Sequence, residues 1–109
     1  MANTYKVLGQ SNPSATTATT LYTCGSASGA VVSTISICNQ AASAGTFRIA
    51  VRPAGATLAA QHYIAYDTAI TANNSTMLTL GVTLANTDVI TVYASSANMS
   101  FAAFGSELS

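Results

Sequence analysis

Eight short segments rich in β-branched and aromatic residues recur along the chain, at intervals of roughly 8 to 15 residues. Runs of Gly, Ser, Asn or Pro, which favour turns, separate each segment from the next. The predicted strands cover residues 4–10, 19–24, 30–39, 46–52, 62–67, 75–80, 89–94 and 99–104. Such spacing is typical of antiparallel sandwiches and barrels. We therefore predict one all-β domain over residues 1–109, an antiparallel, jelly-roll-like β-sandwich of about eight strands.

The segment 30–39, AVVSTISICN, has the strongest strand signal. Its residues at 31, 33, 35 and 37 alternate with those at 32, 34, 36 and 38, which predicts one face in the core. Gly81 is predicted to end the sixth strand, and residues 95–98 are predicted to form a last hairpin turn. The Ala-rich stretch 54–60 predicts no more than one helical turn.

The stretch 46–67 concentrates polar and aromatic side chains in two predicted strands joined by a loop. It contains Arg48, Arg52, His62, Tyr63 and Tyr66. The two arginines are predicted to share one strand face, where they either bind carboxylates of a neighbouring subunit or face solvent. Both tyrosines are predicted at an interface, because Tyr is enriched there. His62 is predicted to be a surface or interface residue.

Charge is scarce in this chain. Three basic and three acidic side chains make up 6% of the residues, and the net charge is zero. A typical soluble domain carries about 25% charged residues. So few cations cannot track a phosphate backbone or bind anionic lipid, so we expect neither nucleic-acid nor membrane partners. Low charge favours a subunit covered by copies of itself or by partners, although a neutral monomer coated with Ser, Thr and Ala remains an alternative.

The sequence predicts no enzyme, no metal site and no cofactor. His62 lacks a carboxylate on its own strand face, and the acidic residues are too few and too scattered for a glycosidase pair or a calcium site. Cys24 and Cys38 are predicted to be reduced thiols, since no secretory signal is visible and we expect synthesis in a host cytoplasm. Lys6 and Glu107, near the termini, are predicted to act as tethers to partners; an isopeptide cross-link between them and an Asn is disfavoured.

Six blocks of the sequence, in order, resemble a family of small virion structural proteins of tailed phages, above all of cyanophages. The blocks are VVSTISICN (31–39), FRIAVRPAGATLA (47–59), HYIAYD (62–67), LTLGVTL (78–84), DVITVYA (88–94) and SFAAFGSE (100–107). The resemblance implies a compact β-sandwich, often trimeric, that sits on a larger assembly. It implies no catalytic residues.

The resemblance and the low charge together indicate a non-enzymatic structural subunit of a virion. We expect a homotrimeric capsid decoration, or cement, protein that binds the major capsid protein or other virion proteins. One alternative is an adaptor of the neck, tail or baseplate that attaches fibres. A further alternative is a glycan-binding or host-binding module that uses exposed tyrosines.

Overall fold

The eight strands pair as one long hairpin that is rolled up on itself. In the computed structural model, which describes residues 3–108, β1 pairs with β8, β2 with β7, β3 with β6 and β4 with β5, all antiparallel. The strands are β1 (Thr4–Ser11), β2 (Thr19–Thr23), β3 (Ala30–Asn39), β4 (Gly45–Arg52), β5 (Tyr63–Ile70), β6 (Asn74–Leu84), β7 (Val89–Ala94) and β8 (Met99–Glu107). This nesting gives a jelly roll, in agreement with the predicted fold.

The rolled hairpin splits into two four-stranded sheets. The front sheet has the strand order β1-β8-β3-β6, and the back sheet has the order β2-β7-β4-β5. Seven of the eight predicted segments match a strand to within about three residues at each end, as expected where Gly, Ser and Asn mark the turns. Two short 3₁₀ turns, Pro53–Gly55 and Ala60–His62, interrupt the β4–β5 connection, where the sequence predicts at most one helical turn.

The core lies between the sheets. Phe47 of the back sheet meets Phe101 of the front sheet edge to face, with ring centroids 6.3 Å apart. Ile35 and Ile37 of β3 and Ile49 of β4 are fully buried around this pair. Apolar side chains on the two inner faces interdigitate in this way in β-sandwiches, which removes them from water.

Irregular strand pairing makes two predictions wrong, one about the faces of β3 and one about the end of β6. Ser33 forms a bulge in β3, so Val32 and Ile35 both point into the core and Val31 lies half-exposed. The prediction of strict alternation through β3 is therefore wrong on one side of the bulge. The prediction that Gly81 ends β6 is also wrong, because the strand continues to Leu84. Gly81 adopts a φ of 66°, and this conformation accommodates an extra residue within the strand.

The turn at residues 95–98 does not close a hairpin. It links β7 of the back sheet to β8 of the front sheet, so that prediction is wrong. The Gly25–Gly29 turn likewise links β2 of the back sheet to β3 of the front sheet. Turn residues mark where a strand ends, but the partner of the strand is decided by inter-sheet packing.

Substituting two phenylalanines of β8 tests which of them faces the core and which faces solvent. Phe101→Ala should lower the free energy of unfolding by about 3–5 kcal/mol, because it leaves a cavity against Phe47. Phe104→Ala, three residues along on the outer face, should change it by less than about 1 kcal/mol. Urea unfolding followed by circular dichroism measures both. Equal losses for the two variants would contradict the assigned faces.

Candidate functional site

An arginine stacked between two tyrosines lies on the outer face of the back sheet. The guanidinium carbon of Arg48 (β4) is 4.2 Å from the ring centroid of Tyr66 (β5) and 4.3 Å from that of Tyr93 (β7). Tyr63 packs edge to face on Tyr66, with centroids 4.9 Å apart. Stacking a guanidinium on aromatic faces is favourable because the ring quadrupole attracts a cation. The three strands therefore present one ordered aromatic cluster.

A bulge in β5 supplies the counter-ion of this cluster. Between the paired positions on either side, Tyr66 and Asp67 together face the single residue Arg48, and Asp67 adopts a φ of 48°. Arg48 donates from Nε to Oδ1 of Asp67 at 2.6 Å and from Nη2 to Oδ2 at 3.3 Å. This hydrogen bonding lowers the pKa of the Asp67 carboxyl and raises the pKa of Arg48. Each charge is therefore neutralised by the other.

A groove opens beside the cluster, on the same outer face. It has a volume of about 620 Å³ and is lined by Leu58, Ala59, Ala60, Tyr63 and Tyr66. We call it the aromatic groove. Its size falls within the range of small-molecule sites, roughly 300–1,000 Å³. Leu58 to Ala60 belong to the β4–β5 loop, and Tyr63 and Tyr66 belong to β5, so the groove depends on how that loop is held.

Side-chain hydrogen bonds hold the loop over the back sheet. Arg52 donates from Nε to the Ala56 carbonyl at 2.7 Å, from Nη2 to the Gly55 carbonyl at 3.0 Å, and from Nη1 to Thr91 Oγ1 at 3.2 Å. At the far end of the loop, His62 Nδ1 accepts from the Ala59 backbone N–H at 3.0 Å. The loop is thereby fixed at both ends. Its position explains why Thr91, on the outer face, is nevertheless buried.

Asp88 fixes the remaining turn of this loop. Its Oδ1 accepts from the backbone N–H of Ala54 at 2.8 Å, and its Oδ2 accepts from that of Ala85 at 2.9 Å. Ala54 has a φ of 54°, a conformation that costs free energy for a residue other than Gly. The carboxylate contact offsets this cost, because a charge-assisted hydrogen bond is stronger than a neutral one.

Lys6, Tyr22 and Glu107 meet where the two sheets adjoin at β1 and β2. Lys6 Nζ lies 2.8 Å from Glu107 Oε1, and Tyr22 Oη donates to Glu107 Oε2 at 2.6 Å. Lys6 first, and then Tyr22, lowers the pKa of Glu107, whereas burial and the bond to Glu107 raise the pKa of Tyr22. Lys6 and Glu107 therefore bind each other as an ion pair across β1 and β8.

Four exposed apolar side chains lie on the outer face of the front sheet, which also carries Thr34 and Ser36 of β3. Val7 lies opposite Phe104 in the β1–β8 register, and Tyr5 lies two residues along β1 on the same face. Tyr5 is 81% exposed, and Met77 of β6, also on this face, is 66% exposed. We call these four residues the front patch. Met77 lies on the edge strand opposite β1, with β8 and β3 between them, so the four side chains are spread across the whole face. Apolar side chains exposed on one sheet face are a feature of interaction surfaces.

The structure brings four of the seven predicted partner-contact residues to one surface. Tyr63 and Tyr66 line the aromatic groove, Arg48 stacks on Tyr66, and His62 holds the adjoining loop. Arg52 supports the same loop from its other end, while Lys6 and Glu107 form the separate ion pair. The sequence did not predict Asp67 as a partner of Arg48, because strict alternation misplaces a residue that lies in a bulge. It also missed Tyr93, whose only signal is its place on a strand that pairs with β4.

Among residues 3–108, no three His, Cys, Asp or Glu side chains cluster as metal ligands would. Cys24 is buried, Cys38 is half-buried, and both are free thiols. Within the same range, no helix is both long and apolar enough to cross a membrane.

The pKa shifts predict acid sensitivity. Glu107 and Asp67 have folded pKa values below their ordinary values of 4.5 and 3.8. A lowered folded pKa adds stability that is complete above the unfolded pKa and is lost as the pH falls through the folded value. The free energy of unfolding should therefore decline as the pH drops below about 4.5. Glu107→Gln should be less stable at pH 7 and should show a shallower decline, measured by urea unfolding across this pH range. An unchanged slope would contradict the Lys6–Glu107 contact.

Arg52 and Arg48 should have different effects on the loop. Arg52→Met removes three hydrogen bonds and should speed amide exchange at Ala56, whose N–H bonds the Pro53 carbonyl, by about tenfold. Arg48→Met, the matched control, leaves those bonds in place and should change that rate by less than about threefold. Hydrogen exchange followed by NMR measures both rates. Equal rates in the two variants would show that Arg52 does not hold the loop.

Comparison of the chain with protein-family models, with curated proteins and with solved structures found no match.

Proposed function

We propose that this chain is a non-enzymatic structural subunit of a tailed-phage virion, a homotrimeric decoration protein that stabilises the head. The observation that carries the proposal is the front patch: Tyr5, Val7, Met77 and Phe104 expose apolar surface together on one sheet face. In the proposal, this patch contacts a copy of the chain, and the trimer sits on the major capsid protein. Its mechanism is added buried area, with no chemical step.

The placement of charge supports an assembly role. All six charged side chains of the chain have intramolecular partners: Lys6 with Glu107, Arg48 with Asp67, Arg52 with two carbonyls and Thr91, and Asp88 with two backbone N–H groups. The front patch contains none of them. When an uncharged face associates with a partner, the free energy cost of desolvation is small, because ions are the groups that cost most to remove from water.

The available area is sufficient for the proposed trimer. The described chain exposes 5374 Å². A standard interface buries about 800 Å² per partner, so contact with two neighbours would cover about 1,600 Å², or roughly 30% of that surface. The remaining surface, which includes the aromatic groove on the other sheet, stays free for a capsid protein or another ligand.

The second candidate within the same class is a connector of the neck, tail or baseplate that seats fibres. It uses the same front patch, with a different virion protein as the partner. Copy number separates the two. Quantitative mass spectrometry of purified particles should find about one chain per major capsid subunit for a decoration protein, and about a hundredfold fewer for a connector. The lower ratio would reject decoration.

Self-association can be tested on the isolated protein. Wild type should sediment as a trimer, and Val7→Asp plus Phe104→Asp should sediment as a monomer, because a charge buried in an apolar interface costs several kcal/mol. Ile64→Asp, on the back sheet and 47% exposed, is the matched control and should remain trimeric. Analytical ultracentrifugation reads the mass, and circular dichroism checks the fold. A wild-type monomer at about 100 µM would contradict a preformed trimer.

A further inference from the structure

We propose that the aromatic groove binds a neutral saccharide. Tyr63 and Tyr66 supply aromatic surface and two hydroxyl groups, and Leu58, Ala59 and Ala60 supply a shallow apolar wall. A sugar ring has the complementary chemistry, with C–H groups on its faces and hydroxyls around its edge. The groove lies on the back sheet, opposite the front patch, so this inference does not depend on the proposed trimer.

The tyrosines are held in place before a ligand arrives. Arg48 stacks on Tyr66 at 4.2 Å, and Tyr63 meets Tyr66 at an interplanar angle of 83°. Tyr66 is nevertheless 58% exposed, so most of its surface faces solvent and is available for contact. A fixed aromatic side chain loses little conformational entropy when it binds, which is why pre-organised rings favour weak neutral ligands.

The electrostatics select a ligand without charge. Arg48, the cation nearest the tyrosines, is already bidentate to Asp67, at 2.6 and 3.3 Å. An anionic ligand would have to compete with this carboxylate for Arg48, and a cationic ligand would have to compete with the guanidinium for Asp67. Within the described part of the chain, no Lys, Asp or Glu lines the groove. A neutral polyhydroxyl compound fits this pattern, whereas phosphate, nucleic acid and acidic glycans do not.

The loop also favours a ring-shaped ligand. The small side chains of Ala59 and Ala60 leave the groove open, since larger side chains at these positions would fill part of its volume of about 620 Å³. His62 holds this wall by accepting the Ala59 N–H, and Arg52 holds the start of the loop. The volume suits about one or two sugar rings among ligands of the usual pocket range.

Titration by ¹H–¹⁵N NMR tests the proposal on the full chain. The neutral probes are maltotriose, cellotriose, chitotriose and lactose, and the anionic probe is sialyllactose. At least one neutral probe should shift the amides of Leu58, Ala59 and Ala60 saturably, with a dissociation constant of about 1 mM. Sialyllactose should bind no tighter than lactose. Absence of saturable shifts with every neutral probe up to about 20 mM would overturn the proposal.

Three variants locate the binding. Tyr66→Ala should weaken the best probe about tenfold, and Tyr66→Phe, which keeps the ring and the Arg48 stack, should weaken it less. Ile64→Ala, on the same strand and outside the groove, is the matched control and should bind as wild type does. Full affinity in Tyr66→Ala would overturn the assignment, provided that its amide spectrum shows a folded chain.

Two other occupants are outcomes of the same titration. A proline-rich peptide, which also docks on aromatic grooves, would shift the same amides when the sugars do not. A second copy of the chain would shift them on dilution alone. Either result would overturn the saccharide assignment, because each identifies a different occupant of the groove.

Discussion

Apolar contact between the two sheets is the interaction on which the rest of the structure depends. Phe47 and Phe101 meet at the centre of this contact, and isoleucines of β3, β4 and β7 surround them. Among residues 3–108, no regular ladder bond joins the front sheet to the back sheet, so the sheets are joined mainly by side chains. Each strand turns one face toward the core and leaves its outer face exposed. The chemistry of the exposed outer face differs between the two sheets.

Charge in this protein stabilises irregular backbone. Asp67 pairs with Arg48 where β5 bulges, and Asp88 accepts from the strained Ala54, while Arg52 spans the loop that follows β4. Charge-assisted hydrogen bonds are strong enough to stabilise these positions, where the regular hydrogen bonds of a β-ladder are interrupted. Because these four charges are used in this way and the other two, Lys6 and Glu107, pair with each other, the rest of the exposed faces is apolar, aromatic or hydroxyl-rich.

The two outer faces thus have different chemistry. The front patch is apolar and suits contact with another protein, whereas the aromatic groove is concave and contains tyrosine hydroxyls. A subunit with both surfaces can be seated on an assembly by one sheet and present a ligand site with the other. This division is compatible with the proposed virion role.

The sequence by itself determined the strand segments, the β-sandwich and the scarcity of charged side chains. These features depend on local turn chemistry, on period-two alternation and on composition. It also placed Arg48, His62, Tyr63 and Tyr66 in one short stretch. Only the tertiary structure decided that Asp67 and Tyr93 join Arg48, that Lys6 meets Glu107, and that Val32 replaces Val31 in the core. The physical reason is that bulges change which way a strand faces, and that long-range pairing is set by how the sheets pack rather than by neighbouring residues.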